Sequence, residues 1–175
     1  MGATIAYFSP IHDHSIPSVD AIWFPGGYPE LYLDLLANNA PMISELKALQ
    51  DISTPMLAEC GGMLYLQKTF TDIDGNKIPM AGVFPGNGYM RPKGGCHGMQ
   101  TAPLPEGDFR GHAHHRTASD CELEPIAHGK RITLPPVNLY TAIRTLLHHT
   151  CTCTSLRIFQ ALLSYFQNRN LNNYV

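Results

Sequence analysis

No apolar run in the 175-residue chain approaches the roughly 20 residues that cross a bilayer. No basic segment followed by an apolar stretch opens it either, so the expectation is a cytosolic protein without a membrane partner. An excess of one charge is also missing. Twelve Lys and Arg face 14 Asp and Glu, for a net charge of -2, which leaves no basic field to draw the chain to nucleic acid or anionic lipid. Five cysteines make an odd count at spacings that form no disulfide framework, and a reducing compartment keeps such residues as thiols. The phosphate-binding pattern G-x-x-x-x-G-K-[ST] occurs nowhere, and no segment repeats. What remains is a 44% hydrophobic chain of a length that suits one domain with a real core.

Along the chain, short apolar runs alternate with helical spacing. Ala3-Thr4-Ile5-Ala6-Tyr7-Phe8 and Ala21-Ile22-Trp23-Phe24 read as strands closed by Pro or Gly. Leu31, Leu35 and Leu36, then Ile43, Leu46 and Leu49, recur as on two short helices divided near Asn38-Asn39-Ala40-Pro41. Pro55-Met56-Leu57-Ala58 is again strand-like, and Gly61-Gly62 leads into a buried helix start at Met63-Leu64-Tyr65-Leu66. Strand, helix, strand, helix predicts a parallel α/β sheet. Asp72 to Asn76 reads as a turn, and residues 79–111 as short strands joined by Gly- and Pro-rich loops.

Chemistry concentrates at Cys60. A strand that stops at a nucleophile and continues through small residues into a helix forms a tight elbow with the side chain exposed above the sheet. The two glycines allow close approach where a Cβ would clash. The N-H groups that open the helix favour thiolate and oxyanion alike. Cys96, Cys121, Cys151 and Cys153 lack that setting. Phe24-Pro25-Gly26-Gly27-Tyr28-Pro29-Glu30-Leu31 is a strand entering a glycine turn, and such a turn can supply one oxyanion N-H beside that of Gly61, the residue after the nucleophile. Three of the nine histidines fall in Gly111-His112-Ala113-His114-His115-Arg116. Three readings stay open for them: the base of a thiol nucleophile, a zinc or nickel site using His112 and His114 from one strand face, or an exposed loop without a role.

Phe8-Ser9-Pro10-Ile11, Pro25-Gly26-Gly27-Tyr28-Pro29-Glu30, Glu59-Cys60-Gly61-Gly62-Met63-Leu64-Tyr65-Leu66, Met80-Ala81-Gly82-Val83-Phe84-Pro85-Gly86 and Gly111-His112-Ala113-His114-His115 occur in this order. Together they resemble the glutaminase domain of cobyrinic acid a,c-diamide synthase, from Ala3 to about Pro125. The resemblance implies a class I, triad-type amidotransferase domain with a flavodoxin-like, mostly parallel sheet flanked by helices. It implies that Cys60 attacks glutamine, that the Gly26-Gly27 turn and the N-H of Gly61 form the oxyanion hole, and that His115 is the base. His114 takes that role if the family's Gly-His-x-Phe-His pattern has lost its phenylalanine here. Thr117 stands where many triad-type relatives place an orienting acid, which leaves the third member unassigned. No cofactor is expected on this domain. ATP and Mg belong to a separate synthetase domain, where ammonia would amidate the a and c carboxylates of cobyrinic or hydrogenobyrinic acid.

The chain departs from the family at both ends. The ATP-binding domain, one strand and one helix that would precede Ala3 are absent from it, so the domain is expected to be incomplete, over 3–136. Residues 137–175 are expected to be an atypical tail. The family ends in a stretch like Thr-Ala-Ser-Tyr-x-His-x-His-Phe-Ala-Ser-Asn, and permitted codons for Tyr140 to Phe159, read in a shifted frame, can spell YGNPDFTASYMHMHFASNLP. That agreement points to a frame change between Lys130 and Tyr140, testable by resequencing. The alternatives to an active glutaminase are a non-catalytic remnant or interaction module, and a histidine-based metal binder.

Overall fold

The computed structural model describes residues 4–93, 97–104, 107–114, 116–121 and 130–131. His115, Cys96, Cys151, Cys153 and the tail beyond Arg131 lie outside them. Ile22 and Phe24 alternate with Trp23 along strand β1 (Ile22–Phe24), and Met56 and Ala58 with Leu57 along β2 (Met56–Ala58). The two strands pair in parallel with Ile22 opposite Met56 and Phe24 opposite Ala58, so one face of the pair presents four apolar residues, each at most 5% exposed.

A parallel pair needs a crossover. Here it consists of a 3-10 turn (Pro29–Leu31), helix α1 (Leu33–Asn38) and helix α2 (Ala40–Asp51). Asn39 divides the helices as the sequence suggests, and the next helix starts with Pro41 in its first turn, where its missing N-H costs nothing. The Asn39 side chain does more than cap. Its Nδ2 donates to the carbonyls of Pro10 and Asp13, both at 2.7 Å, while Oδ1 accepts from His14 Nδ1 at 3.2 Å. Glu45 accepts from the N-H of Ile16 at 2.8 Å. The loop from Ser9 to Ile16 is therefore tied to α2 by two polar side chains.

After β2 comes α3 (Gly61–Leu66), with Met63, Leu64, Tyr65 and Leu66 all buried. They join Leu36, Met42 and Leu46 and the inner face of the strand pair in one core. The chain then forms β3 (Thr69–Thr71), β4 (Lys77–Pro79), β5 (Asn87–Met90), β6 (His97–Leu104), β7 (Gly107–His114), β8 (Thr117–Ser119) and β9 (Lys130–Arg131). The Asp72 carboxylate makes the expected turn before β4, accepting from the N-H groups of Asp74 and Asn76 at 2.9 and 2.8 Å.

The α/β organisation with a parallel strand pair flanked by helices agrees with the fold the resemblance implies. Among the described residues, parallel pairing is confined to β1 with β2 and β3 with β5. The other ladders are antiparallel, including a β6–β7 hairpin longer than the short strands expected there. The strand expected over Ala3–Phe8 is not formed across residues 4–8. A strand requires a neighbour to take its backbone groups, and in the described sheets β1 is bonded to β2 alone. Ile5 and Tyr7 stand 73% and 87% exposed. Phe8 is held by its side chain, edge to face on Phe24 at 5.6 Å between ring centroids.

Candidate active site

Cys60 stands between the end of β2 and the first residue of α3, with φ 48° and ψ -112°. An L residue at positive φ away from the left-handed helical basin is strained, at a cost of about 1 to 3 kcal/mol. The surroundings impose that strain from both sides. The N-H of Glu59 donates to the Phe24 carbonyl at 2.9 Å, the N-H of Gly62 to the Glu59 carbonyl at 2.9 Å, and the N-H of Leu64 to the Cys60 carbonyl at 3.2 Å. The chain has to reverse within one residue, and Cys60 is that residue.

The two glycines after it are required by packing. A Cβ on Gly61 would collide with the backbone of Gly27 and lie 2.7 Å from Pro29 Cδ. One on Gly62 would lie 2.6 Å from both the Cβ and the carbonyl oxygen of Phe24. The start of α3 is thus pressed directly onto the end of β1 and its glycine turn. This contact brings together motifs more than 30 positions apart in sequence. A Cβ on Gly26 would touch Cys60 Cβ at 3.4 Å, and the backbone N-H groups of Gly27 and Gly61 both donate toward the Cys60 sulfur. Two converging N-H donors beside a thiol form a cradle suited to negative charge, on the thiolate or on an oxygen built from an attacked carbonyl.

Other forces oppose that charge. Burial is the largest and pushes the Cys60 thiol up; the Gly61 and Gly27 N-H groups pull it down; Glu30 and Glu59 push it up again. Burial also raises the Glu59 carboxyl. The balance leaves the resting thiol protonated at neutral pH, so attack requires a base to remove the proton. Neither acid is assigned a role by its place in the sequence, although both stand at the ends of the quoted motifs. Glu59 directly precedes Cys60, whereas the effect of Glu30 depends on the 3-10 turn meeting α3, which spacing does not reveal.

His115, the expected base, lies outside the described residues. His112 and His114 belong to β7, paired with Met99 and His97 of β6. Among the described residues no group of three or more His, Cys, Asp or Glu is placed to hold a metal ion. Cys121 is buried against Gly86, 2% exposed, as suits a packing cysteine.

A strained cysteine elbow between a parallel strand and a helix, facing a glycine turn on the adjacent strand, suits thiol-dependent acyl transfer. The chain belongs to the CobB/CobQ-like glutamine amidotransferase domain family, whose model matches residues 1–129. It is 42% identical over 129 residues to the hydrogenobyrinate a,c-diamide synthase of Pseudomonas aeruginosa, covering 74% of this chain and 30% of the relative. To the protein of the same name from Stutzerimonas stutzeri it is 40% identical over 130 residues, with the same coverage of 74% and 30%. To the cobyrinate a,c-diamide synthase of Herminiimonas arsenicoxydans it is 39% identical over 127 residues, covering 72% and 29%. The chain thus spans less than a third of the length of these relatives.

Proposed function

We propose that this domain hydrolyses glutamine and passes the ammonia to an ATP-dependent amidation of a corrinoid. The reading rests above all on the N-H groups of Gly27 and Gly61 meeting at the Cys60 sulfur. Cys60 attacks the side-chain amide carbon of glutamine while its proton passes to His115. The oxyanion is held by the N-H groups of Gly27 and Gly61, and the turn at Gly26 keeps that edge open. The C–N bond breaks as the histidine returns the proton to the leaving nitrogen, which releases ammonia and leaves a glutamyl thioester. Water, deprotonated by the same base, then cleaves the thioester to glutamate and restores the thiol.

The acceptors in this reading are the a and c carboxylates of cobyrinic or hydrogenobyrinic acid, in keeping with the diamide synthase names of the relatives. ATP and magnesium act at the portion of the relatives outside the matched segment. The chain contains no phosphate-binding loop of the P-loop pattern.

Glutamate and ammonia production from glutamine by the purified chain is the direct test. Cys60→Ala is expected to abolish it, and Cys60→Ser to reduce it at least 1,000-fold, because a hydroxyl is a far weaker acid than a thiol. Turnover that survives Cys60→Ala would refute the assignment. His115→Asn should lower kcat sharply while His114→Asn leaves it near the parent value; the reverse would move the base to His114.

A further inference from the structure

Strand β8 spans only Thr117–Ser119 and, in the described sheets, pairs with β5 alone. Thr117 and Ala118 lie on opposite faces of the strand and both are buried, so burial by itself does not tell one register from the next. Bonds at the two ends of the strand do. The Asn87 N-H donates to Asp120 Oδ1 at 2.6 Å and Asn87 Nδ2 donates to Asp120 Oδ2 at 2.9 Å, while the Asp120 N-H returns to the Asn87 carbonyl at 3.1 Å. Asn87 Oδ1 accepts from Thr69 Oγ1 of β3 at 2.7 Å, which braces the asparagine from its other side. At the opposite end of β8 the Arg91 N-H donates to the Arg116 carbonyl at 2.8 Å. Burial pushes the Asp120 carboxyl up, but the Asn87 amide and N-H outweigh it and hold the group below the usual carboxylate range. The clasp is therefore made to the charged form.

Strand β5 is in turn seated on the helix that follows Cys60. A Cβ on Gly88 would lie 3.0 Å from Leu64 Cδ2 of α3. The segment between β4 and β5 is tied back to the end of that helix, the Phe84 N-H donating to the Leu66 carbonyl at 2.8 Å and the Lys68 N-H to the Gly86 carbonyl at 2.9 Å. A continuous run of short contacts thus leads from the nucleophile through α3 and Asn87 to Asp120 and Arg116. Arg116 is the residue after His115 in the chain.

We propose that the Asn87–Asp120 clasp sets where the base meets the nucleophile: Asp120 and Asn87 are positioning residues for His115, acting through the register of β8. A slip of one residue carries every side chain of a strand to its opposite face, and a misplacement of about 1 Å at a catalytic group can cost about 100-fold in rate. The proposal rests on the glutaminase reading, because it is the transfer of the Cys60 proton that gives the register its use.

The test is steady-state glutamine hydrolysis by the full 175-residue chain. Asp120→Ala is expected to lower kcat about 10- to 100-fold and to leave KM for glutamine within about twofold, because the N-H cradle at Cys60 is untouched. Asn87→Asp sets carboxylate against carboxylate and should lower kcat at least as far. The double exchange, Asn87→Asp with Asp120→Asn, rebuilds the pattern with donor and acceptor reversed and should bring kcat back to within about threefold of the parent. Asp72→Ala controls for stability alone. Asp72 holds the β3–β4 turn through comparable bonds from Asp74 and Asn76, on the far side of β3 from β8, and its loss should leave kcat at the parent value. Alkylation of Cys60 without glutamine should match the parent in every variant. The pH profile of kcat/KM should move in Asp120→Ala and not in Asp72→Ala, since a displaced base titrates in a different field and a smaller folded fraction does not change the profile. Parent-like kcat in Asp120→Ala would overturn the proposal. So would a loss that the double exchange does not restore, or an equal loss in Asp72→Ala. No hydrolysis by the parent chain would refute the glutaminase reading and this proposal together, whereas hydrolysis indifferent to Asp120 would refute this proposal alone.

Discussion

At the scale of the residue, Cys60 carries two opposed demands. Its positive φ and the glycine contacts around it put the sulfur where the N-H groups of Gly27 and Gly61 converge. Burial and the two nearby carboxylates keep the sulfur protonated. The consequence is measurable by alkylation. In the folded chain, iodoacetamide should modify Cys60 more slowly at pH 7 than in the denatured chain, with a rate that still climbs beyond pH 9.0, the ordinary thiol value from which this group is raised. Peptide mass mapping resolves Cys60 from the other cysteines. A midpoint below about pH 8 would contradict the balance of forces described here. The residue type, the glycines and the order of the motifs were all legible in the sequence. The influence of Glu30 was not, because charge brought from a distant turn depends on that turn's path and leaves no periodic signal.

At the scale of the element, α2 holds more than its own core face. Asn39 is 5% exposed and joins the helix start to the Ser9–Ile16 loop through its bonds to Pro10, Asp13 and His14. Because Nδ2 donates to two carbonyls, Oδ1 must accept, and His14 therefore carries its proton on Nδ1. Asn39→Ala removes a cap and strands two carbonyls, at an expected cost of about 2 to 3 kcal/mol in denaturant unfolding. It should also open the Ser9–Ile16 loop to proteases. Asn38→Ala, one position away and exposed, should change stability by less than about 0.5 kcal/mol; an equal loss in both would show that the loop is not anchored through Asn39. Helix periodicity announced α1, α2 and the break between them. It could not announce which of two adjacent asparagines would be the anchor, since that is decided by a loop some 25 residues earlier. The Ala3–Phe8 run fails as a strand for a related reason: an apolar run offers backbone groups for pairing, but a partner must accept them.

At the scale of the whole molecule, the core does not satisfy every polar atom it encloses. The Tyr65 hydroxyl is buried in the core cluster without a hydrogen-bond partner, its ring tilted against Phe24 at 6.0 Å. Burial pushes the phenol up to about 12 from 10.0. The neutral form is thus favoured by the fold, and the stability this gives is fully present below pH 10 and drains away as pH rises toward 12. Two pH units correspond to about 2 to 3 kcal/mol. Tyr65→Phe is expected to leave the fold intact, to raise stability at pH 7 by about 1 kcal/mol through loss of an unpaired buried hydroxyl, and to shift the alkaline unfolding midpoint upward. Urea titrations of both proteins at pH 7 and pH 11 check this; a loss of stability at pH 7 would mean that the hydroxyl has a partner.

What the sequence by itself determined is the family, the cysteine elbow, the glycine turn and the alternation of strand and helix. These are local properties: a cysteine between a short strand and two glycines has few conformations open to it, and apolar spacing names the element that can bury it. What only the tertiary structure decided is how those pieces meet. Gly61 and Gly62 lie against Phe24, Gly27 and Pro29 because β1 and β2 pair in parallel register, and that pairing brings two distant N-H groups to one sulfur. The exposure of Leu31 and Leu35 has the same origin. Leu31, Leu35 and Leu36 recur at helical spacing, and only the packing of Leu36 into the core decided that Leu31 and Leu35 stand exposed.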